Sequence, residues 1–202
     1  MEVDGHNFRS LDTNNYRSQV AMVDTYPVFF TGTIEENLRI IRPNISDREL
    51  EEALHLSGFS RMLKDLPDGL STEINQFGAP LPEGNRTALS VARSLVKQPR
   101  ILLLDEALAN LDKSSQVWLL DKLNEIARGR TLIMATHDLR FVVNFDSIIV
   151  LESGSLSGQG THSELLENCI PYKDLWELDR SLSRVGMKDE DETTMENLPN
   201  AG

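Results

Sequence analysis

The sequence predicts an α/β fold, a mainly parallel sheet with a helical segment inserted between its strands. Three observations carry that prediction. Ile101 to Leu104 is a continuous apolar run that starts after Pro99 and ends in two carboxylates, Asp105 and Glu106. Such a run reads as a strand buried on both faces, and strands of that kind sit in parallel sheets. Lys113 to Ala127 then carries Val117, Leu120, Leu123 and Ile126 at helical spacing, and Thr131 to Ala135 (TLIMA) is a second apolar strand ending in Thr136-His137-Asp138. Strand, helix, strand in that order is a βαβ unit, whose crossover is right-handed almost without exception.

Chemistry belongs at the carboxyl ends of such strands, because that is where open α/β sheets bind ligands. Asp and Glu are rarely buried without a partner, and an ion is one such partner. The stretch alone leaves two readings open: an acidic cap after a strand, or a metal-holding edge. The second strand favours the edge, since it brings Asp105, Glu106 and His137 to one rim.

Taken in order, residues 1 to 18 begin with Asp4-Gly5, a turn signal, and Gln19 to Val23 reads as a strand. Pro27 to Thr33 is a loop with Phe29 and Phe30, at least one of which is expected in the core. Thr33 caps a helix through to Leu38, with Glu36 three residues on as its capping-box partner. Asp47 to Leu56 is helical, capped by Ser46 or Asp47 and stopped by Gly58, with Leu50, Ala53, Leu54 and Leu56 available for packing. Residues 61 to 70 form a short helix and turn. Asn85 to Lys97 is amphipathic, with Ala88, Val91, Ala92, Leu95 and Val96 inward. Ser147 to Leu151 and Ser155 to Gln159 make a hairpin around Ser153-Gly154. Gly160-Thr161-His162 opens a helix, where His162 reads as structural. Tyr172 to Leu182 is a last amphipathic helix with Leu175, Trp176, Leu178 and Leu182. Beyond Met187 the tail holds five acids and one lysine and is expected to be disordered.

Composition narrows the classes. At 202 residues and 40% apolar the chain has material for one core. Its net charge of −12 argues against nucleic acid as a partner, because phosphate binding needs a basic footprint. The single cysteine, Cys169, reads as a small apolar residue. No apolar run reaches the ~20 residues of a membrane span, and no signal peptide is visible.

The joint pattern resembles the nucleotide-binding domains of ABC transporters. VARSLVKQPRILLLDEALANLD is similar to the helix, Walker B strand and D-loop of that family, and ATHD (Ala135 to Asp138) to its switch-histidine loop. PVFFTGTIEENL (Pro27 to Leu38) resembles the segment after the Q-loop of exporter-type cassettes. TEINQFG (Thr72 to Gly78) resembles an exporter loop, and Ser147 to Leu166 the closing hairpin and helix. Each motif alone is weak; together they are specific. The resemblance implies a P-loop NTPase-like fold over residues 1 to 186, with a helical subdomain at about 45 to 97 and a tail at 187 to 202. It also implies that the chain starts part-way through that fold. The Walker A pattern is absent, and none of the 12 glycines is followed by lysine.

The resemblance assigns roles. Asp105 holds Mg²⁺ through water, Glu106 is general base, and His137 contacts the γ-phosphate. Asp112 lies in the D-loop and also caps the following helix. Thr25 stands where the family has its Q-loop glutamine; its shorter side chain is expected to contribute little. Gly84 and Asn85 belong to the signature loop, which faces the nucleotide of the opposite cassette. There Pro82 replaces a serine and Glu83 a glycine. Proline removes a hydroxyl and an amide donor. Glu83 sets a negative charge toward phosphate: like charges at ~4 Å repel by about 1 kcal/mol in water and about 4 kcal/mol when partly buried. A helix dipole offers an anion only roughly 0.3–1 kcal/mol. The expectation is an exporter ATPase domain working with ATP and Mg²⁺, a second such domain (homo- or heterodimer) and transmembrane domains, at the cytoplasmic face of a membrane. The rival is a catalytically impaired regulatory half that pairs with a competent cassette. A DNA-repair ATPase is disfavoured by the acidic composition and the exporter-like segments.

Overall fold

The computed structural model describes residues 2, 3 and 5–180, and their chain forms two compact units that divide between Thr136 and His137. In the first unit, β1 (Glu2–Val3) and β2 (His6–Asn7) pair antiparallel across a turn in which Gly5 has φ +76°. A helix the sequence reading omitted follows: α1 (Thr13–Gln19), capped by the Asp12 side chain on the Asn15 amide. It runs into β3 (Val20–Val23).

The central sheet has the order β3, β6 (Ile101–Asp105), β7 (Thr131–Ala135), all parallel. This is the expected βαβ unit, joined by α6 (Lys113–Ala127). Register is tight: Val23 faces Leu104, and Asp105 faces Ala135. Burial differs from expectation. Leu102 and Leu104 are buried, with Ala21 and Val23 beside them, but Ile101 and Leu103 are only half-buried. Strand side chains alternate between faces, so Met22, Leu103 and Ile133 form one row. Met22 is 51% and Ile133 53% exposed, so the described residues close one face of this sheet and not the other.

The helical part is built as the caps predict. A β-bridge pairs β4 (Gly32–Thr33) with β5 (Glu73–Ile74). α2 (Ile34–Arg39) starts with the Thr33–Glu36 capping box and α3 (Asp47–Leu56) with a Ser46–Glu49 box. Gly58, at φ +79°, ends α3 and opens α4 (Phe59–Met62). α5 (Glu83–Val96) begins two residues before its expected start and is wrapped by α2, α3, α4 and β3. Thr87, Leu89, Ser90 and Ser94 are therefore buried as well as the five predicted positions. Lys97 fastens its end to β3 by donating to the carbonyls of Arg17 and Val20, each at 2.7 Å.

α6 corrects a second expectation. Its inner face is Leu119, Leu123 and Ile126, while Val117 is 66% exposed. At 100° per residue the run 117, 120, 123, 126 sweeps half the helix, so both ends cannot face the core.

In the second unit, β8 (Ile148–Glu152) and β9 (Ser155–Gly160) form the hairpin, with Ser153 and Gly154 both at positive φ. α7 (His162–Asn168) starts at the Thr161–Glu164 capping box. His162 Nδ1 lies 2.8 Å from the Tyr172 hydroxyl, a structural contact as expected. A further helix, α8, covers 170–180. It buries Tyr172 and partly buries Trp176, whereas Leu175 and Leu178 are half-exposed, contrary to the expected stripe. The aromatic pair one turn apart supplies enough area to set which face docks. Leu182 and the acidic tail lie outside the described residues.

Candidate functional site

The site begins at the end of β6. Its last residue, Asp105, is exposed, and the next, Glu106, adopts φ +48°. The left-handed region is costly for a residue with a Cβ, of order 1–3 kcal/mol, and such strain gathers at functional positions. The fold holds Glu106 there by the ladder itself: its amide donates to the Ala135 carbonyl at 2.9 Å. The carboxylate pair thus stands at the carboxyl rim shared by β6 and β7.

The loop after β3 is fastened to this rim. Thr25 Oγ1 donates to the Asp105 carbonyl at 3.0 Å, and Asn110 Nδ2 donates to the Thr25 carbonyl at 3.2 Å. The Thr25 proton is thereby committed to backbone. Asn110 was missed by the sequence reading. The signal available in the sequence was an amide side chain set among the apolar residues Ala107, Leu108 and Leu111.

A second group forms where two helix starts approach. Asp112 caps α6 by accepting from the amides of Ser114 and Ser115 and from both their hydroxyls, the latter at 2.6 Å each. The serine hydroxyls, more than the amides, hold its carboxyl at about 2, below the usual 3.8. Across from it, α5 starts at Pro82 with no side-chain cap, and Glu83 is exposed. A Cβ built on Gly84 would lie 3.9 Å from Asp112 Oδ2, an ordinary contact distance. Asn85 and Asp112 line one cavity of about 340 Å³ with Arg61, Asp65, Ser114 and Trp118. Arg61 lies over the Trp118 ring at 5.2 Å. So five of the predicted residues fall into two neighbouring sets: Thr25 with Asp105, and Gly84, Asn85 and Asp112. Glu106 adjoins the first set by sequence.

His137 belongs to the second unit. It is exposed and precedes Asp138, which caps a short 3₁₀ turn and pairs with Arg140. Burial pushes the Asp138 carboxyl up, but the hydrogen bonds from Arg140 outweigh it and hold the group below its usual value.

The donor set suits Mg²⁺ better than it suits phosphates. One carboxylate at a strand end, here Asp105, is the kind of ligand Mg²⁺ takes, with waters and substrate oxygens completing the octahedron. Among the described residues there is no group of three or more His, Cys, Asp or Glu that could hold a metal by itself. For phosphates, the start of α5 has no hydroxyl and presents an acid.

A profile of the ABC transporter family matches residues 1–109, more than half of the chain. The chain belongs to the ABC transporter family. Its sequence is that of part of a nucleotide-binding domain and is similar to those of exporter-type members. "ABC transporter B family member 3" of Dictyostelium discoideum is 36% identical over 174 residues, covering 86% of this chain and 12% of that protein. A Staphylococcus aureus protein named as a multidrug export ATP-binding/permease protein is 32% identical over 176 residues, covering 87% of this chain and 30% of its own length. A bacterial Atm1-family ABC exporter, solved with ATP bound, superposes with a TM-score of 0.82 at 30% identity, covering 88% of this chain and 31% of that one. The ABC transporter chain described here thus spans under a third of the length of each of these relatives. The fold expected from its sequence, a P-loop NTPase-like parallel sheet, is the fold they share. No described helix is long and apolar enough to cross a membrane.

Proposed function

We propose that this chain supplies the metal- and water-directed side of the ATP site in an ABC exporter, at the cytoplasmic face of a membrane. The observation that carries this reading is the pairing of Asp105 with Ala135, with Glu106 held at φ +48° just beyond it. Asp105 holds Mg²⁺ through water, and Glu106 accepts the proton of the attacking water. His137 contacts the γ-phosphate. Asp112, Gly84 and Asn85 face a second nucleotide-binding domain. Bound Mg²⁺–ATP supplies the electrophilic phosphorus and charge neutralisation; positioning and proton transfer fall to the protein.

Transmembrane domains dock beside the loop after β3. Phe29 is buried under the Arg93 guanidinium, 4.8 Å from its ring, and its amide donates to the Gln76 carbonyl. That bond joins two loops whose other apolar side chains stand outward: Tyr26 77%, Val28 65%, Phe30 54% and Phe77 64% exposed. Outward aromatics on joined loops are the composition of an interface core.

The chain alone neither binds ATP tightly nor hydrolyses it, because its sequence has no glycine-lysine loop to cradle the phosphates. Calorimetric titration with Mg²⁺–ATP tests this, and micromolar affinity would refute it. Joined behind a segment that carries a glycine-lysine phosphate loop, the chain is expected to hydrolyse ATP. Glu106→Gln should then lower kcat by about 10²–10⁴, the range of a general base. An unchanged kcat would remove Glu106 from the mechanism.

A further inference from the structure

A cavity of about 840 Å³ lies at the amino ends of the strands. It is lined by Arg100 and Thr131, which lead into β6 and begin β7, and by Gln19, just before β3. β6 runs from there to the carboxylate rim, so roughly 13 Å of strand separates the two places. Nothing in the proposed ATPase chemistry uses this end.

Two cations face the cavity. Arg100 is exposed at its mouth, and Arg130 is half-buried in its wall. Among the described residues neither guanidinium has a hydrogen-bond or ion-pair partner, and Arg130 Nη1 is shut off from solvent as well. Burial pushes the Arg130 pKa down, against an attraction from the Glu52 carboxylate that raises it. The Asp12 carboxylate also lines the cavity but is engaged, accepting the Asn15 amide at 2.7 Å. The remaining titratable groups in the lining are His6 and the Tyr16 phenol. A buried cation without an anion is costly. This chain has 32 acids to 20 bases, and elsewhere it pairs Arg39, Arg42 and Arg140 with carboxylates. Two unpaired arginines at one cavity are therefore not explained by a shortage of acids. The other walls mix Leu11, Ile101 and the ring of Tyr16 with the polar side chains of Asn15, Gln19 and Thr131.

We propose that this cavity binds a small organic anion, with a carboxylate or phosphate head on the guanidinium groups of Arg100 and Arg130. The apolar or aromatic body of the anion lies against Leu11, Ile101 and Tyr16. The planar arginine fork matches both head groups in two-point contact, and mixed apolar walls with few charges are usual for small-molecule sites.

The test is calorimetric titration of the full chain with benzoate, phenyl phosphate and benzyl alcohol. At least one anion is expected to bind with a Kd of about 1 mM or tighter, within reach of so small a ligand. The relative strength of the two anions identifies the head group. Benzyl alcohol should bind at least about tenfold more weakly, because it keeps the ring and loses the charge-assisted bonds. Arg130→Met is expected to abolish anion binding, Arg100→Met to weaken it about tenfold, and Arg48→Met, on α3, to leave it unchanged. If circular dichroism shows that Arg130→Met does not fold, the exposed Arg100 decides the matter. No anion binding at about 10 mM, far above the range open to such ligands, would overturn the proposal. So would equal binding of the alcohol, or wild-type binding by folded Arg100→Met.

Discussion

The starts of α5 and α6 are neighbours, yet they are finished in opposite ways. α6 is closed by its own Asp112, whose carboxylate takes two amides and two hydroxyls. α5 opens on Pro82 with no side chain over its first amides, and with Glu83 turned out. Among the described residues five α-helix starts carry a hydroxyl or carboxylate cap bonded to N2 or N3: those of α1, α2, α3, α6 and α7. A helix start that satisfies its own amides is made for stability. A start that leaves them open either offers them to something else or has lost its ligand. In α5 the open amides come with an acid rather than a hydroxyl, which argues for the loss.

The contrast can be broken most sharply at Asp112. Asp112→Ala should cost about 1–2 kcal/mol, the scale of a lost N-cap. Denaturant midpoints of the two proteins measure it, and an unchanged midpoint would mean that the cap is idle. The same contact has a pH signature. The folded carboxyl is held at about 2 against its usual 3.8, so its stabilisation is full above pH ~4 and is lost as pH falls toward 2. Wild-type protein should lose stability across that window more steeply than Asp112→Asn. Equal slopes would show that the depressed value belongs elsewhere; Glu49, also held at about 2 by its bonds to Ser46 and Arg42, titrates in both proteins.

Smaller effects sharpen the picture. Thr25→Val removes one hydrogen bond to the Asp105 carbonyl and should cost about 1 kcal/mol, seen as a lowered thermal midpoint. It should also raise amide exchange at the loop it fastens. Pro82→Ser is the smallest. The new hydroxyl should contribute about 1 kcal/mol as a cap, while losing proline frees the unfolded chain by roughly 0.4–1 kcal/mol. The midpoint should therefore stay within about 0.5 kcal/mol of wild type. A larger gain would mean that the start of α5 is limited by its missing cap.

Much of this was legible from local chemistry. The capping box at Thr33 and the cap signal at Ser46 or Asp47 place the starts of α2 and α3 because the signal and the contact lie within one turn. The bounds of β7 and α6 were legible too, being set by apolar runs and Asp112. What failed was the question of which apolar residues face inward. Val117, Leu175 and Leu178 all have helical spacing and all stand exposed. Spacing marks a stripe of possible faces, and the neighbour that packs selects among them.

The residues themselves determined the family, the carboxylate pair after an apolar strand and the departure from the family's signature loop, since each is written in consecutive positions. Tertiary structure alone decided that Asn110 braces Thr25, that Gly84 meets Asp112, and that Arg100 and Arg130 share one cavity. Those residues are tens of positions apart, and only the parallel register that aligns strand ends brings them together.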